Sequence, residues 1–329
     1  MGPMSRFGND LYTGKASVPF VGKRRLWFII AALLIIGSAL VLLIKPPQFS
    51  IEFTGGSQFT VTGLEQPDQL VATDAVRSVV PDAATRVTTV GGDAVRVQTD
   101  QLSADETQSV SEALAAAYSV PETEVTTSFI GPSWGEDVTR QSLWGLGIFL
   151  ALAFLILAIY FRTWKMSAAA IIGLVDVLVI TIGIYALAGF EISPAAVIGF
   201  LTILGYSLYD TTVVFDKIRE NTSEDGMKSG RTFGESVNLA VNQTLIRSIN
   251  TSVVAVLPVA AILFIGAFWL GADTLSDISL SITVGIIVAA YSTLFVAAPL
   301  YSLFRESEPD LRERDQRLME ARERASVGV

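Results

Sequence analysis

The sequence predicts a polytopic α-helical membrane protein of six spanning helices, with one α+β domain inserted after the first. Three observations carry that prediction. Of 329 residues 51% are hydrophobic, and the mean hydropathy is +0.51, too apolar for an ordinary soluble domain. Near-continuous apolar runs occur at 26–44, 141–161, 166–188, 194–215, 247–270 and 278–304, each long enough to cross a hydrocarbon core of about 30 Å. A polar, acidic stretch over 45–135 separates the first run from the other five.

Residues 1–25 end in Lys23, Arg24 and Arg25, which followed by an apolar run also describe a secretory signal. The run is longer than a signal core, lacks a small-x-small site, and stops at Lys45-Pro46-Pro47 as an anchor does. It therefore reads as the first span. Arginine and lysine collect before residue 26, at Arg162 and Lys165, through the 216–246 connection and along the 305–329 tail. The short connections 189–193 and 271–277 carry none. By the positive-inside rule both termini are expected in the cytoplasm and the 45–135 domain outside the cell membrane.

The domain reads in order. Phe49 to Phe53 and Ser57 to Thr62 alternate as strands, with Gly55-Gly56 as the bend between them. Pro67 to Val80 spaces Leu70, Val71, Ala75, Val76 and Val79 along one helical face. Arg86 to Val90 and Ala94 to Gln98 flank the hairpin signal Gly91-Gly92-Asp93. Ser103 and Glu106 form a capping box that opens a helix through Tyr118, and a last strand is expected at Val125 to Ile130. The order β-α-β-β-α-β is that of a ferredoxin-like unit. Gly131-Pro132-Ser133-Trp134-Gly135 is then expected to break the chain before the second span, with Trp134 and Trp144 as interfacial anchors.

In the second half, Ser193-Pro194 supplies an N-cap and first helical residue for the fourth span. The 216–246 connection turns amphipathic through Phe233, Val237, Leu239, Ala240 and Leu245, and is expected along the inner membrane surface. Asp216, Lys217, Arg219 and Glu220 are expected as a boundary ion-pair cluster, and Glu191, Asp273 and Asp277 as solvated loop charges. The mixed-charge tail reads as a solvated helix or an extension without structure.

Residues 46–139 hold fourteen Asp or Glu against Arg77, Arg86 and Arg96, which excludes nucleic acid as a partner. The chain has no cysteine and no histidine, so disulfides are excluded, no metal or other cofactor is expected, and a proton relay would rest on carboxylates and water. Asp176 in the third span and Asp210 in the fourth are the deepest ionisable residues. A helix-centre Asp costs about 2.5–3.5 kcal/mol on insertion scales, so each is a functional candidate by default, against the plainer reading of a structural hydrogen bond to an adjacent helix. Asp210 lies six residues before Asp216, roughly 9 Å inside the boundary at 1.5 Å per residue. Arg247, entering the fifth span at similar depth, is its natural counter-charge, or else snorkels to the interface. Gly173, Gly183, Gly199, Gly205 and Ser207 allow close helix approach.

Residues 205–221, which run from Gly205, Tyr206 and Ser207 through Asp210 to Asn221, resemble the fourth-helix signature of the SecF family. So does Phe53-Thr54-Gly55-Gly56, similar to the family's motif after the first span, with Glu52 where Asp is usual. Thr244 to Ser252 resembles the family's fifth-helix opening. The resemblance covers nearly the whole chain. It implies a helical architecture of resistance-nodulation-division type, pairing with a SecD subunit, docking on the SecYEG channel, and non-enzymatic help to exported unfolded polypeptide, driven by inward proton flow. It also implies that Asp210 is the proton-coupling aspartate, with Arg247 beside it and Asp176 in the third-helix pair. Val175 stands where the family's histidine precedes that aspartate, which removes a relay step through it, and Val253-Val254 replaces a Thr-Thr pair, which leaves that seam drier. Two other readings compete: a half-transporter of a small molecule or lipid, and a non-conducting scaffold of the translocon.

Overall fold

The computed structural model describes residues 3–90, 92–223, 230–266 and 273–327. Gly91 of the hairpin, 224–229 of the fourth connection, and 267–272 at the end of the fifth span lie outside the described residues. Six described helices are long and apolar enough to cross a membrane. They are α2 (Arg24–Ile44), α6 (Pro132–Phe161), α7 (Trp164–Ala188), α8 (Pro194–Asn221), α9 (Phe233–Ile265), and a sixth made of α10 (Asp273–Ser292), a π-helical turn (Thr293–Ala297) and α11 (Ala298–Glu306). The short α1 (Pro3–Thr13) precedes them, and α12 (Pro309–Val327) follows.

Lipid tails are as apolar as leucine, so helices in a bilayer gain little by hiding apolar side chains and associate instead through close packing. That decides which spans sit inside. The apolar windows of α7 and the sixth span are 56% buried, against 11% for α2 and α6 and 6% for α9. Glycines mark the tight crossings: a Cβ at Gly173 would meet the Ala297 methyl at 3.1 Å, and one at Gly199 would strike the Ser281 side chain. Ser193 caps α8 by accepting from the Ala196 amide at 3.1 Å, and donates to Asp277 Oδ2 at 2.6 Å, tying the starts of the fourth and sixth spans together.

Between α2 and α6 lies the α+β domain. Its strands β2 (Gly56–Val61), β3 (Thr85–Val90), β4 (Ala94–Thr99) and β5 (Val125–Ile130) form one antiparallel sheet in the order β3-β4-β2-β5. With α4 (Gln69–Val79) after β2 and α5 (Ala104–Tyr118) after β4, this is the split β-α-β-β-α-β topology. The register pairs Val61 with Val95 and with Val125. Alternation in β2 buries Ser57, Phe59 and Val61, and Phe59 and Val61 meet Val76 of α4 and Leu114 of α5 in the core. Each such side chain contributes about 1.5–3 kcal/mol, so the domain has the means to fold without disulfides. The capping box of α5 is formed, with Ser103 and Glu106 each bonded to the other's backbone amide. Those bonds hold the Glu106 carboxyl below the usual carboxylate range.

Several expectations need correction. The strand expected over Phe49 to Phe53 is a two-residue strand β1 (Gln48–Phe49) followed by one helical turn, α3 (Ile51–Thr54). β1 pairs in parallel with β6 (Glu191–Ile192), and that pairing ends because Ser50 turns inward as the N-cap of α3. Gly131 to Gly135 does not break the chain; Gly131 caps α6 and Pro132 takes its first turn, where a missing N–H costs nothing. The amphipathic part of the fourth connection is not a separate surface helix. It is continuous with the fifth span in α9, about 50 Å long at 1.5 Å per residue, and its apolar face of Phe233, Val237, Ala240 and Val241 is buried in a core shared with Leu11 and Tyr301. The tail is helical as α12, and it is not merely solvated: Arg322 pairs with Glu235 at 2.8 Å, and Asp315 accepts from the Phe233 amide at 2.9 Å. Glu191 and Asp277 are not solvated either, since Glu191 pairs with Arg96 at 3.0 Å and Asp277 bonds Ser193.

Candidate functional site

One group of polar residues inside the bundle lies around the π-helical turn of the sixth span. A π turn inserts one residue into the helix and leaves its hydrogen-bond ladder locally loose, which is why such turns favour functional sites. Here the residues at its edge reach both neighbouring helices. Ser292 donates to the Gly173 carbonyl of α7 at 3.0 Å, and Thr293 shares a hydrogen bond with Thr211 of α8 at 3.0 Å.

Asp176 lies one turn beyond Gly173 on α7 and is 2% exposed. Neither of its carboxylate oxygens has a hydrogen-bond partner among the described residues. The Tyr291 hydroxyl of the sixth span is also buried without a hydrogen-bond partner among the described residues. Asp210 precedes Thr211 on α8 and is 4% exposed. Its Oδ1 accepts from Ser248 Oγ of α9 at 2.8 Å, while Oδ2 has no partner among the described residues. One turn earlier on the same face, Tyr206 donates to Ser252 of α9 at 3.2 Å. Consecutive residues of the sixth span, Ser292 and Thr293, thus stand between the two aspartate-bearing helices.

Buried polar atoms are normally bonded, and a carboxyl left with free oxygens in a low-dielectric interior is costly as an anion. Among the described residues, the Ser248 hydroxyl is the one group hydrogen-bonded to either carboxyl. Arg247 does not clamp Asp210. It is exposed and has no described carboxylate within ion-pair distance. Ser248, the next residue along α9, occupies the partner position that the sequence suggested for Arg247. The Ser248 bond is the plainer reading of Asp210, a hydrogen bond to an adjacent helix, whereas Thr293, Tyr291 and the π turn itself were not singled out, because hydroxyl residues in an apolar run read as ordinary packing. A Cβ added to Gly205 would meet none of the described residues within 4 Å, so this glycine does not serve packing among them, whereas Ser207 is buried. With Ile198, Thr202 and Tyr209, Gly205 forms an exposed stripe along α8.

The second cluster of motif residues lies where α3 meets the sheet. Gly55 and Gly56 have φ of +74° and +127°, and a Cβ on Gly56 would strike the Thr99 carbonyl oxygen. Phe53 packs its carbonyl against Gly135 of α6, and Thr54 Oγ1 donates to the Ser50 carbonyl at 3.3 Å. The pair of glycines is thus the tight passage from membrane helix to domain. Beside it, Arg96 of β4 holds Glu191, Lys45 Nζ donates to the Leu187 carbonyl at 3.0 Å, and β1 pairs with β6. These contacts fasten the domain to the turn joining α7 and α8, the two helices that carry Asp176 and Asp210.

Comparison with known proteins agrees along the chain. Residues 110–307 match the family model described as protein export membrane protein SecD/SecF, C-terminal, and residues 40–62 match the SecD/SecF GG motif. Protein translocase subunit SecF of Streptomyces coelicolor is 39% identical over 98% of this chain and 86% of its own length. The Mycobacterium tuberculosis SecF is 35% identical over 97% of this chain and 74% of its own. The crystal structure of SecDF from Thermus thermophilus, a translocon-associated membrane protein, superposes with a TM-score of 0.75 at 29% identity over 88% of this chain. This chain spans 39% of that longer one.

Proposed function

The chain belongs to the SecF family of protein translocase subunits, and from that membership we propose that it acts with a SecD-type subunit in the export of preproteins across the cytoplasmic membrane, drawing on the proton motive force. It is a multi-pass membrane protein with a non-catalytic role. In this reading both termini are cytoplasmic, the α+β domain faces outward to unfolded substrate, and the assembly docks on SecYEG.

The observation that carries the reading is Asp210: a carboxyl buried between α8 and α9, held by one serine hydroxyl and without another hydrogen-bond partner among the described residues. A proton arriving there removes the charge and with it the demand on Ser248, so α8 and α9 can repack against the sixth span, whose π turn offers a second register. Because α7 and α8 meet at the turn that Arg96 and β1 grip, repacking is felt by the domain. Each charge crossing 100 mV supplies about 2.3 kcal/mol, enough to bias a two-state element of a few kcal/mol. Asp176 is the second carrier, and Arg247 sets the local field. Exposed Gly205 and its stripe fit a helix of the SecD partner.

The test is export of a secretory substrate into inverted vesicles with and without a proton gradient. Asp210→Asn is expected to abolish the gradient-dependent part while leaving membrane insertion intact. Full gradient-dependent export by that variant would sink the coupling proposal and leave the scaffold reading standing.

A further inference from the structure

Where α2 begins, the structure has a cleft of about 710 Å³ between the segment preceding α2, the first turns of α9, the end of α11 and the side of α12. Four guanidinium groups line it, Arg24, Arg25, Arg231 and Arg322, against two carboxylates, Glu235 and Glu306. Both carboxylates are already engaged, Glu306 with Arg24 and Glu235 with Arg322 through two bonds of 2.8 and 2.9 Å. Arg25 and Arg231 are exposed and have no ion-pair partner among the described residues. The cleft therefore presents excess positive charge with donors free.

Its position supplies the rest. Arg24 and Arg25 are the first residues of the first span, and the apolar face that continues from them, Leu26, Ile29 and Leu33, is exposed. The helix α1, which ends one residue before Gly14 of the cleft lining, has exposed Phe7 and Tyr12, aromatic rings suited to a membrane interface, the latter beneath Lys217. We propose that this cleft binds the phosphate headgroup of an anionic glycerophospholipid, whose acyl chains lie along the exposed face of α2. Guanidinium forks match phosphate oxygens two at a time, and basic pockets between spans at the inner membrane surface suit such headgroups. The site requires that α2 spans the membrane; it does not depend on proton coupling at Asp210.

The experiment is native mass spectrometry of the full chain in detergent, titrated with phosphatidylglycerol, phosphatidylcholine or inorganic phosphate. Phosphatidylglycerol adducts are expected to exceed phosphatidylcholine adducts at least about fivefold, the effect of one surface cation. The double variant Arg25→Gln, Arg231→Gln should lose that preference, and Arg25→Lys, Arg231→Lys should recover part of it. Neither residue is ion-paired among the described residues, so thermal unfolding of the variants should match the native chain. Undiminished phosphatidylglycerol preference in the double variant overturns the site. Binding of inorganic phosphate with no preference between the lipids overturns the lipid as its occupant.

Discussion

The link between spans and domain makes its most quantitative prediction at Arg96 and Glu191. Their side chains are 11% and 14% exposed and the N···O distance is 3.0 Å, so the weak figure of about 0.2–1 kcal/mol for an exposed pair does not apply. A hydrogen bond to a charged group contributes about 1.5–3 kcal/mol net, and removing one partner leaves the other charge poorly solvated. Arg96 makes more than this contact, so the pairwise part has to come from a cycle of Arg96→Gln, Glu191→Gln and the double variant. The readout is hydrogen exchange at the Ser50 amide, which donates to the Ile192 carbonyl at 3.1 Å and opens when β1 leaves β6. Exchange there should quicken about tenfold to a hundredfold in either single variant, with an interaction energy of about 1.5–3 kcal/mol in the cycle. Gradient-dependent export should fall in step while the sheet of the domain keeps its protection. An interaction energy below about 0.5 kcal/mol, with export unaltered, would refute the claim that this pair ties the domain to the α7–α8 turn.

Other outcomes are expected from the same contacts. Ser248→Ala removes the one described hydrogen bond to Asp210, a loss of about 1–3 kcal/mol, and should depress gradient-dependent export several-fold, with Ser248→Thr restoring it. Gly205→Leu should leave the chain's own thermal stability unchanged, because no described residue lies within 4 Å of an added Cβ there, yet sharply reduce co-purification with a SecD subunit. Gly56→Ala forces a Cβ toward the Thr99 carbonyl at φ of +127°; about 1–3 kcal/mol of strain should appear as faster proteolysis between α3 and β2. The Glu106 carboxyl is held below its unfolded range, so its contribution to α5 is present above that range and is lost as pH falls through the lowered value. Exchange at the α5 N-terminus followed from neutral to acid pH should show that loss in the native chain and not in Ser103→Ala.

Much of this molecule could be read without coordinates, and the reasons are local. A run of apolar residues partitions into lipid whatever its neighbours do, so the six spans follow from composition. The capping box at Ser103 and the proline after Ser193 act within one turn of chain, and they lie where their residue types place them. Local signals also misled. Phe49 to Phe53 alternates like a strand, but Ser50 and the bend at Gly55 close a helical turn there. The polar beginning of α9 looked like a surface helix because its apolar face had no visible partner in the sequence; α1 and α11 cover it.

By itself, then, the sequence determined the membrane spans, the domain's topology, and which acids are buried at depth, since each is a property of a short segment against water or lipid. Only the tertiary structure decided what those acids touch. Ser248 rather than Arg247 holds Asp210, a π turn of the sixth span stands between the two aspartate helices, and Glu191 grips Arg96 across 95 residues of chain. Such pairings depend on how helices pack and rotate, and no local pattern of residues encodes that rotation.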